Sequence, residues 1–112
     1  AFRCNAPDLP GSPDLVFDAL GSIVFVHGCF WHLHRGCPRM RIPHNSERRG
    51  YWYEKLARNA LRDDRVEAEL REAGWRVLII WECETTPRER LRRTLAEFLD
   101  VAPPPRRRRR FR

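Results

Sequence analysis

The first quarter of the chain carries the apolar pattern of two short strands. Residues 14–20 (DLVFDAL) are rich in apolar and β-compatible side chains, and residues 23–26 (IVFV) are continuously apolar. Gly21 and Ser22, which separate the two runs, are residue types that form tight turns. The pattern predicts two strands that are joined as a β-hairpin.

The segment 28–50 shows no hydrophobic period. Its composition shifts to His, Arg, Pro and Gly. Loops of this length are uncommon in compact domains, and they are usually functional when they are ordered. We therefore expect either a long ordered loop with a function or a disordered segment.

Residues 51–73 have the pattern of a long amphipathic helix, because they contain no Gly or Pro and alternate charged with apolar positions. The apolar positions are Trp52, Leu56, Ala60, Val66 and Leu70. Gly74 is well placed to end this helix. Residues 75–81 (WRVLIIW) are then almost continuously apolar, which predicts a strand buried on both faces of a sheet.

A second helix is predicted to follow this strand. Thr86, Pro87 and Glu89 supply an N-cap, a proline at the first helical position and a capping-box acid. The helix is expected to bury four apolar residues at helical spacing: Leu91, Leu95, Phe98 and Leu99. It should end before three consecutive prolines.

The order strand, strand, loop, helix, strand, helix predicts an α/β fold, a sandwich in which helices flank a small mixed sheet. A chain of 112 residues fits a single domain, which we place at residues 1–101. Residues 102–112 are dominated by Pro and Arg, and this composition predicts a disordered basic tail.

The net charge of +7 indicates a polyanionic partner, although six of the arginines lie within residues 103–112 and leave a net +1 on the rest. A second basic patch lies inside the long loop, where Glu47 is the single acid among five arginines: Arg35, Arg39, Arg41, Arg48 and Arg49. Phosphate contacts supply most non-specific affinity for nucleic acid. We therefore assign DNA contacts to Arg35, Arg39 and Arg41.

No apolar run approaches the roughly 20 residues that span a bilayer, and the first residues lack a signal-peptide pattern. We therefore expect an intracellular protein without membrane contact. In a reducing cytosol, cysteines interspersed with histidines indicate metal binding, whereas in an oxidising compartment the four cysteines would pair as disulfides.

The long loop contains the densest candidate chemistry. Cys29, His34 and Cys37 offer three metal ligands within nine residues, and Cys83, after the predicted buried strand, is the candidate fourth. Four N and S ligands are typical of structural zinc, which can order a loop; the alternative is that the thiols are small buried apolar groups. His32 competes with His34 for the metal, and a free His32 would act as a general base.

Five further residues have both a functional and a structural interpretation. Asp14 begins the first strand, where a carboxylate either holds Mg²⁺ or forms a turn. Asn59 and Asp63 lie four residues apart on one helix face, so they either point into a site, with Asp63 orienting a histidine, or form a solvated surface. Phe30 and Trp31 are either core residues or a wedge that inserts between base pairs.

Four motifs carry a resemblance to a known family. They are Pro10-Gly11-x-Pro13-Asp14, Val24-Phe25-x-His27-Gly28-Cys29-Phe30-Trp31-His32, Lys55-x3-Asn59-x2-Arg62-Asp63 and Gly74-Trp75-Arg76-Val77-Leu78-Ile79-x-Trp81-Glu82-Cys83. In this order and spacing they closely resemble the very-short-patch repair (Vsr) endonucleases over most of the chain.

The resemblance implies a fold like that of type II restriction endonucleases. It also implies a single-strand cut 5′ to the thymine of a T·G mismatch that arises from deaminated 5-methylcytosine. Asp14 resembles the Mg²⁺-binding carboxylate, and Val26, where relatives often have Thr, would offer its backbone carbonyl to the same metal.

The remaining site residues follow from the same resemblance. His32 resembles the base that activates water, Asp63 resembles its orienting partner, and His27 and Asn59 resemble supporting groups around the scissile phosphate. The wedge beside the mismatch corresponds to Phe30 and Trp31. The zinc ligands correspond to Cys29, His34, Cys37 and Cys83, although one extra residue separates the middle pair compared with some relatives.

The expected partners are duplex DNA with a T·G mismatch and mismatch-repair proteins, and the expected state is a monomer in the bacterial cytoplasm, associated with the nucleoid. Family members carry a further helical segment before the position of Ala1, which predicts a fragment, a wrongly assigned start or a degenerate copy. Three functions stay open: a Mg²⁺-dependent nicking endonuclease, a non-catalytic DNA-binding module, and a zinc-stapled interaction domain that ignores nucleic acid.

Overall fold

The computed structural model describes residues 1–42 and 47–100. Within them lie four strands, Arg3–Cys4 (β1), Leu15–Phe17 (β2), Ser22–His27 (β3) and Arg76–Trp81 (β4), and two α-helices, Arg49–Glu72 (α1) and Arg88–Asp100 (α2). The predicted basic tail lies outside the described residues.

The strands form one sheet in the order β1-β2-β3-β4. The pairs β1–β2 and β2–β3 are antiparallel, whereas β3 and β4 are parallel. Parallel neighbours need a long crossover connection, and here the connection contains the 24-residue helix α1. The prediction of an α/β fold on a small mixed sheet is confirmed.

The predicted hairpin forms, but its first strand is shorter than expected. β2 ends at Phe17, and Asp18–Leu20 form a 3₁₀ turn that Gly21 ends in the left-handed region at φ 58°. The Gly21 N–H donates to the Asp18 carbonyl at 3.1 Å, so this backbone closes a turn instead of continuing the ladder. The strand prediction for residues 18–20 was wrong because the apolar pattern does not reveal that turn.

Helix α1 begins two residues before the predicted start and ends at Glu72. Ala73 caps it and Gly74 follows at φ 101°, a conformation that favours glycine. Its side chains Leu56 and Leu70 are fully buried. The predicted helix and its glycine stop are therefore confirmed.

Both inner strands bury side chains on both faces of the sheet, but β3 does so more completely. Successive strand residues point to opposite faces, and both Ile23 and Val24 of β3 are fully buried. In β4, Val77 and Ile80 are buried on opposite faces, whereas the two residues between them stay partly exposed. Within the described chain β4 pairs only with β3 and forms an edge of the sheet, so the prediction of a strand buried on both faces is confirmed only in part.

Helix α2 begins at Arg88, one residue later than predicted. Its four apolar residues lie on the inner face as expected but are half-buried rather than buried. Arg76 of β4 holds the helix: its guanidinium lies 4.2 Å from the Phe98 ring centroid and donates to the Phe98 carbonyl at 2.7 Å.

The main apolar core lies between the sheet and the C-terminal half of α1. Its largest members include Val16, Ile23, Phe25, Leu70 and Trp75. Neither described helix has an apolar stretch long enough to traverse a bilayer. The core leaves the carboxyl end of β3 free to form a cleft with the start of β2 and with α1.

Candidate active site

A cleft of about 410 Å³ opens at the carboxyl end of β3. It is bounded by the turn before β2, the last residues of β3, the start of the long loop and the middle of α1. Five of the predicted site residues line it together: Asp14, Val26, His27, His32 and Asp63. Residues almost 50 positions apart in the sequence therefore meet at one concave surface.

Asp14 is fixed at one wall of the cleft by the sheet. Its Oδ2 accepts the backbone N–H of Val26 at 2.7 Å, across the hairpin. The preceding turn packs tightly on α1, since a Cβ added at Gly11 would lie 2.7 Å from Val66 Cγ1, and Gly11 has φ 76°. A glycine at this position thus lets the turn before β2 approach α1 closely.

His32 and Asp63, which also line the cleft, form a hydrogen-bonded pair. His32 Nδ1 donates to Asp63 Oδ2 at 2.5 Å, and the two side chains are 25% and 18% exposed. A histidine that donates through Nδ1 to a carboxylate leaves Nε2 as a hydrogen-bond acceptor. The pair is therefore arranged to take a proton at Nε2 of His32.

His27 lies beneath this pair and is 7% exposed. Its ring stacks on the His32 ring with centroids 3.9 Å apart and planes 8° from parallel. Burial lowers the pKa of His27 from its ordinary value, and the positive charge that His32 can carry lowers it further. Burial therefore favours the neutral form of His27.

His27, His32 and Asp63 offer ligand atoms within 4.8 Å of one another, the spacing of a possible metal site. The geometry of the two rings opposes metal binding. Nitrogen lone pairs lie in the ring planes, and the planes of these two rings run nearly parallel, 3.9 Å apart between centroids. One ion at about 2.0–2.1 Å from each nitrogen would need the planes to converge. The arrangement suits proton transfer better than metal binding.

A second cluster, which we call the Cys/His cluster, lies beside the cleft. Its four ligand atoms are within 4.8 Å of one another and belong to Cys29, His34, Cys37 and Cys83. Cys83 Sγ lies 3.6 Å from His34 Nδ1, and Cys29 is fully buried. His34 therefore belongs to this cluster, whereas His32 belongs to the cleft.

The loop that carries the cluster is ordered by short backbone turns. His34 N–H donates to the Cys29 carbonyl at 2.9 Å, and Cys37 N–H donates to the His34 carbonyl at 3.3 Å. Burial, together with the neighbouring thiols of Cys29 and Cys37, raises the pKa of Cys83 to about 11. The pKa of Cys37 is lowered instead, chiefly by a hydrogen bond from the backbone of Arg39, so the cluster favours the thiolate, which is the metal-binding form of cysteine, at Cys37.

The predicted wedge residues project from the start of the same loop. Trp31 is 51% exposed, and its ring meets that of Phe30 edge-on at 5.1 Å. Asn59 does not line the cleft; its Nδ2 donates to the Trp31 carbonyl at 3.0 Å, so it holds the loop on α1. Trp52, which the sequence indicated only as a core residue of the helix, contacts both rings at 5.7 and 5.9 Å.

The three arginines assigned to DNA contacts are exposed and lie outside the cleft. Arg39 Nη1 lies 3.5 Å from Glu82 Oε1, which ties the loop to the end of β4. Arg35 and Arg41 extend from the same loop. Their position leaves them available to a large partner that covers the cleft.

Two further charged residues line the cleft: Arg62, which the third motif contains but to which the sequence assigned no role, and Glu67, which the sequence analysis missed. Glu67 is held by Arg71, whose Nε donates to its Oε2 at 2.9 Å, and Arg71 also donates to the Val77 carbonyl at 3.0 Å. The missed signal was helical spacing, because Glu67 lies four residues after Asp63 and therefore on the same face of α1.

The sequence is similar to one family model and to several known proteins. The family model described as DNA mismatch endonuclease Vsr matches residues 1–39. The type II nicking enzyme V.XorIIP of Xanthomonas oryzae pv. oryzae is 44% identical over 99 residues, which cover 88% of this chain and 71% of that protein.

Two further relatives are similar over most of this chain. DNA mismatch endonuclease Vsr of Escherichia coli is 46% identical over 91 residues, covering 81% of this chain and 56% of that protein. The type II nicking enzyme V.NmeAIP of Neisseria meningitidis serogroup A is 38% identical over 104 residues, covering 89% and 72%. The chain thus spans from about half to about three quarters of the length of these relatives.

Proposed function

The chain belongs to the Vsr family of DNA mismatch endonucleases, and on this premise we propose that it nicks one strand of duplex DNA 5′ to the thymine of a T·G mismatch. The observation that carries the proposal is the cleft, which Asp14 and the His32–Asp63 pair line together. The names of the relatives, a mismatch endonuclease and nicking enzymes, support the reaction class. We also propose that the fold is of the restriction-endonuclease type.

In the proposed reaction His32 is the general base. Its Nε2 accepts a proton from the attacking water, while Asp63 fixes the tautomer and stabilises the positive charge that His32 acquires. The neutral, stacked His27 limits the motion of the ring and adds no competing charge. Arg62, at the rim of the cleft, offers a cation to the phosphate.

We propose that Asp14 and the backbone carbonyl of Val26 hold Mg²⁺. The donor set fits, because Mg²⁺ binds through one or two carboxylates and keeps several waters. Asp14 uses Oδ2 for the Val26 N–H, and the polar groups of a strand residue face the same neighbouring strand, so the Val26 carbonyl points to that side too. When bound, Mg²⁺ supplies positive charge against the charge that grows on the phosphate.

The Cys/His cluster is proposed as a structural zinc site. Zn–S and Zn–N bonds of about 2.3 and 2.0–2.1 Å at tetrahedral angles place a sulfur and a nitrogen about 3.6 Å apart. The Cys83 Sγ to His34 Nδ1 distance is 3.6 Å. The ligands come from the loop and from the turn after β4, so zinc would join the loop to the sheet.

Recognition of the mismatch is assigned to the aromatic side chains of the loop. Apolar wedges that unstack a base step are a known way to bend and open a duplex. Phe30 and Trp31 are supported from behind by Trp52, so a wedge here would be rigid. Arg35, Arg39 and Arg41 would contact phosphates on either side.

The test is a strand-specific nicking assay on a duplex with one T·G mismatch in a methylated-cytosine context, with a T·A duplex as the DNA control. We expect a Mg²⁺-dependent nick 5′ to the mismatched thymine, lost in Asp14→Ala with folding and zinc content unchanged. The matched control variant is Asp64→Ala, which removes an exposed carboxylate of α1 outside the cleft.

Two outcomes would contradict the proposal. An Asp14→Ala protein that nicks at the wild-type rate would remove Asp14 from the reaction. Salt-sensitive duplex binding without any nick would instead support a DNA-binding module that lacks turnover.

A further inference from the structure

Trp81, the last residue of β4, lies between the Cys/His cluster and the cleft. Its indole stacks on the His34 ring with centroids 4.1 Å apart and planes 3° from parallel. The same indole meets the His27 ring edge-on at 5.4 Å and 74°. One side chain therefore contacts a cluster residue and a cleft residue at once.

These contacts belong to an unbroken series of side chains. At one end Cys83 lies 3.6 Å from His34. At the other end His27 stacks on His32 at 3.9 Å, and His32 binds Asp63 at 2.5 Å. The series thus connects a sulfur of the cluster to the residue that orients the base.

The backbone fixes Trp81 in this place. In the parallel pairing of β3 and β4, Trp81 is the register partner of His27, which puts both side chains on the same face of the sheet. The Trp81 N–H donates to Glu84 Oε1 at 3.0 Å, and this hydrogen bond fixes the end of β4 two residues before Cys83. A large planar ring held in this way cannot shift without moving His27 or His34.

We propose that Trp81 is a positioning residue that transmits the geometry of the metal-loaded cluster to His27 and, through the ring stack, to His32. The inference rests on the proposed function, since it assumes that the cluster holds zinc and that His32 is the base. It assigns the cluster a second effect: besides ordering the loop, the ion sets the orientation of the catalytic ring.

The physical reason is that the proposed reaction tolerates little displacement of its reacting groups. A displacement of about 1 Å in a reacting group can lower a rate by about 10²-fold. His34 cannot turn while it is a metal ligand, and its ring then presents a fixed face to Trp81. Loss of the indole would leave His27 without its edge contact and the His27–His32 stack free to adjust.

The first test follows the histidine rings by ¹⁵N–¹H correlation NMR at fixed pH, before and after Zn²⁺ is added and after Cd²⁺ replaces it. We expect the ring signals of His27 and His32 to move with the metal in wild type and in Trp81→Phe, which retains a ring. In Trp81→Leu the His32 signals should still respond when Zn²⁺ orders the loop, but they should no longer shift when Cd²⁺ replaces Zn²⁺. Unchanged His32 signals in the wild type would overturn the proposal without any variant.

The second test measures single-turnover nicking and DNA affinity on zinc-loaded proteins. We expect Trp81→Leu to lower the rate by about 10–10²-fold with DNA affinity within threefold of wild type, and Trp81→Phe to recover most of the rate. The matched control is Phe17→Leu, a half-buried aromatic of β2 that packs on Phe2 away from the cluster.

The two readouts separate failure of this inference from failure of the proposed function. If the protein nicks DNA but the His32 signals follow the exchange of Zn²⁺ for Cd²⁺ equally in Trp81→Leu and wild type, the positioning role of Trp81 is wrong. If the protein never nicks but the signals lose their response to this exchange in Trp81→Leu, the structural coupling holds and the proposed reaction is wrong.

Discussion

Substitution of Asp63 by Asn tests the pair on which the proposed reaction depends. The variant keeps the size of the side chain and removes its negative charge, next to a His32 nitrogen 2.5 Å away. The pair is largely shielded, with 25% and 18% of the two side chains exposed. The charge therefore acts with little screening by solvent.

Two terms set the expected loss. A hydrogen bond to a charged group contributes about 1.5–3 kcal/mol, which corresponds to about 10–150-fold in rate. In addition, the Asn amide can donate to Nδ1 of His32, which moves the ring proton to Nε2 and removes the acceptor; general-base catalysis as a whole contributes about 10²–10⁴-fold. We expect Asp63→Asn to slow nicking by about 10²–10⁴-fold.

The assay mixes a preformed protein–DNA complex with Mg²⁺ and follows the nicked strand on a denaturing gel, so that binding does not limit the rate. DNA affinity is measured separately in Ca²⁺. Asp64→Asn, on the neighbouring exposed position of α1, is the matched control and should nick like wild type. A rate for Asp63→Asn within threefold of wild type, in a folded protein, would refute the role of this pair.

Three further predictions concern the cleft, the cluster and the core. Arg62→Gln should raise the KM for DNA or lower the rate about tenfold or more, because a charge-assisted contact to phosphate is lost, whereas Arg65→Gln on the outer face of α1 should change neither in the same assay. Cys83→Ser should reduce bound zinc from about one ion per chain to a small fraction, measured by atomic emission after dialysis, and equal zinc in both proteins would contradict the ligand set. Leu70→Ala should lower the free energy of unfolding by about 2–5 kcal/mol in urea titrations, since Leu70 is fully buried, and a loss under 1 kcal/mol would place it outside the core.

The elements that the sequence predicted well are those whose pattern runs over several turns or a whole strand. Helix α1 has a sustained 3.6-residue period and a glycine stop, so it could be predicted without knowledge of the tertiary contacts. β1 has two residues and no pattern to detect. The difference in burial between β3 and β4 also had no local signal, because both strands are apolar runs and only the pairing decides which one is central.

The site residues also differ in how well the sequence predicted them. Cys29, His34 and Cys37 are close in the sequence, so their spacing alone indicated a ligand group. The position of Trp81 between two histidines was not predictable, because it follows from the β3–β4 register and from the path of the loop. The role of Trp52 was not predicted for a different reason. An apolar residue on a helix is usually part of the core, whereas Trp52 supports an exposed aromatic cluster.

The burial pattern gives a physical reason for the proposed zinc site beside the cleft. In the described part of the loop, residues 28–42, only Cys29 and Ile42 are buried, so apolar packing does little to order it. Fixing a backbone costs about 1–2 kcal/mol per residue, whereas structural zinc in small domains supplies about 10–16 kcal/mol at neutral pH. The same loop carries Trp31 and His32, which need fixed positions for the proposed recognition and base catalysis. An ion at the Cys/His cluster would therefore be the largest contribution to the order of the loop, and its loss should disturb DNA binding and proton transfer together.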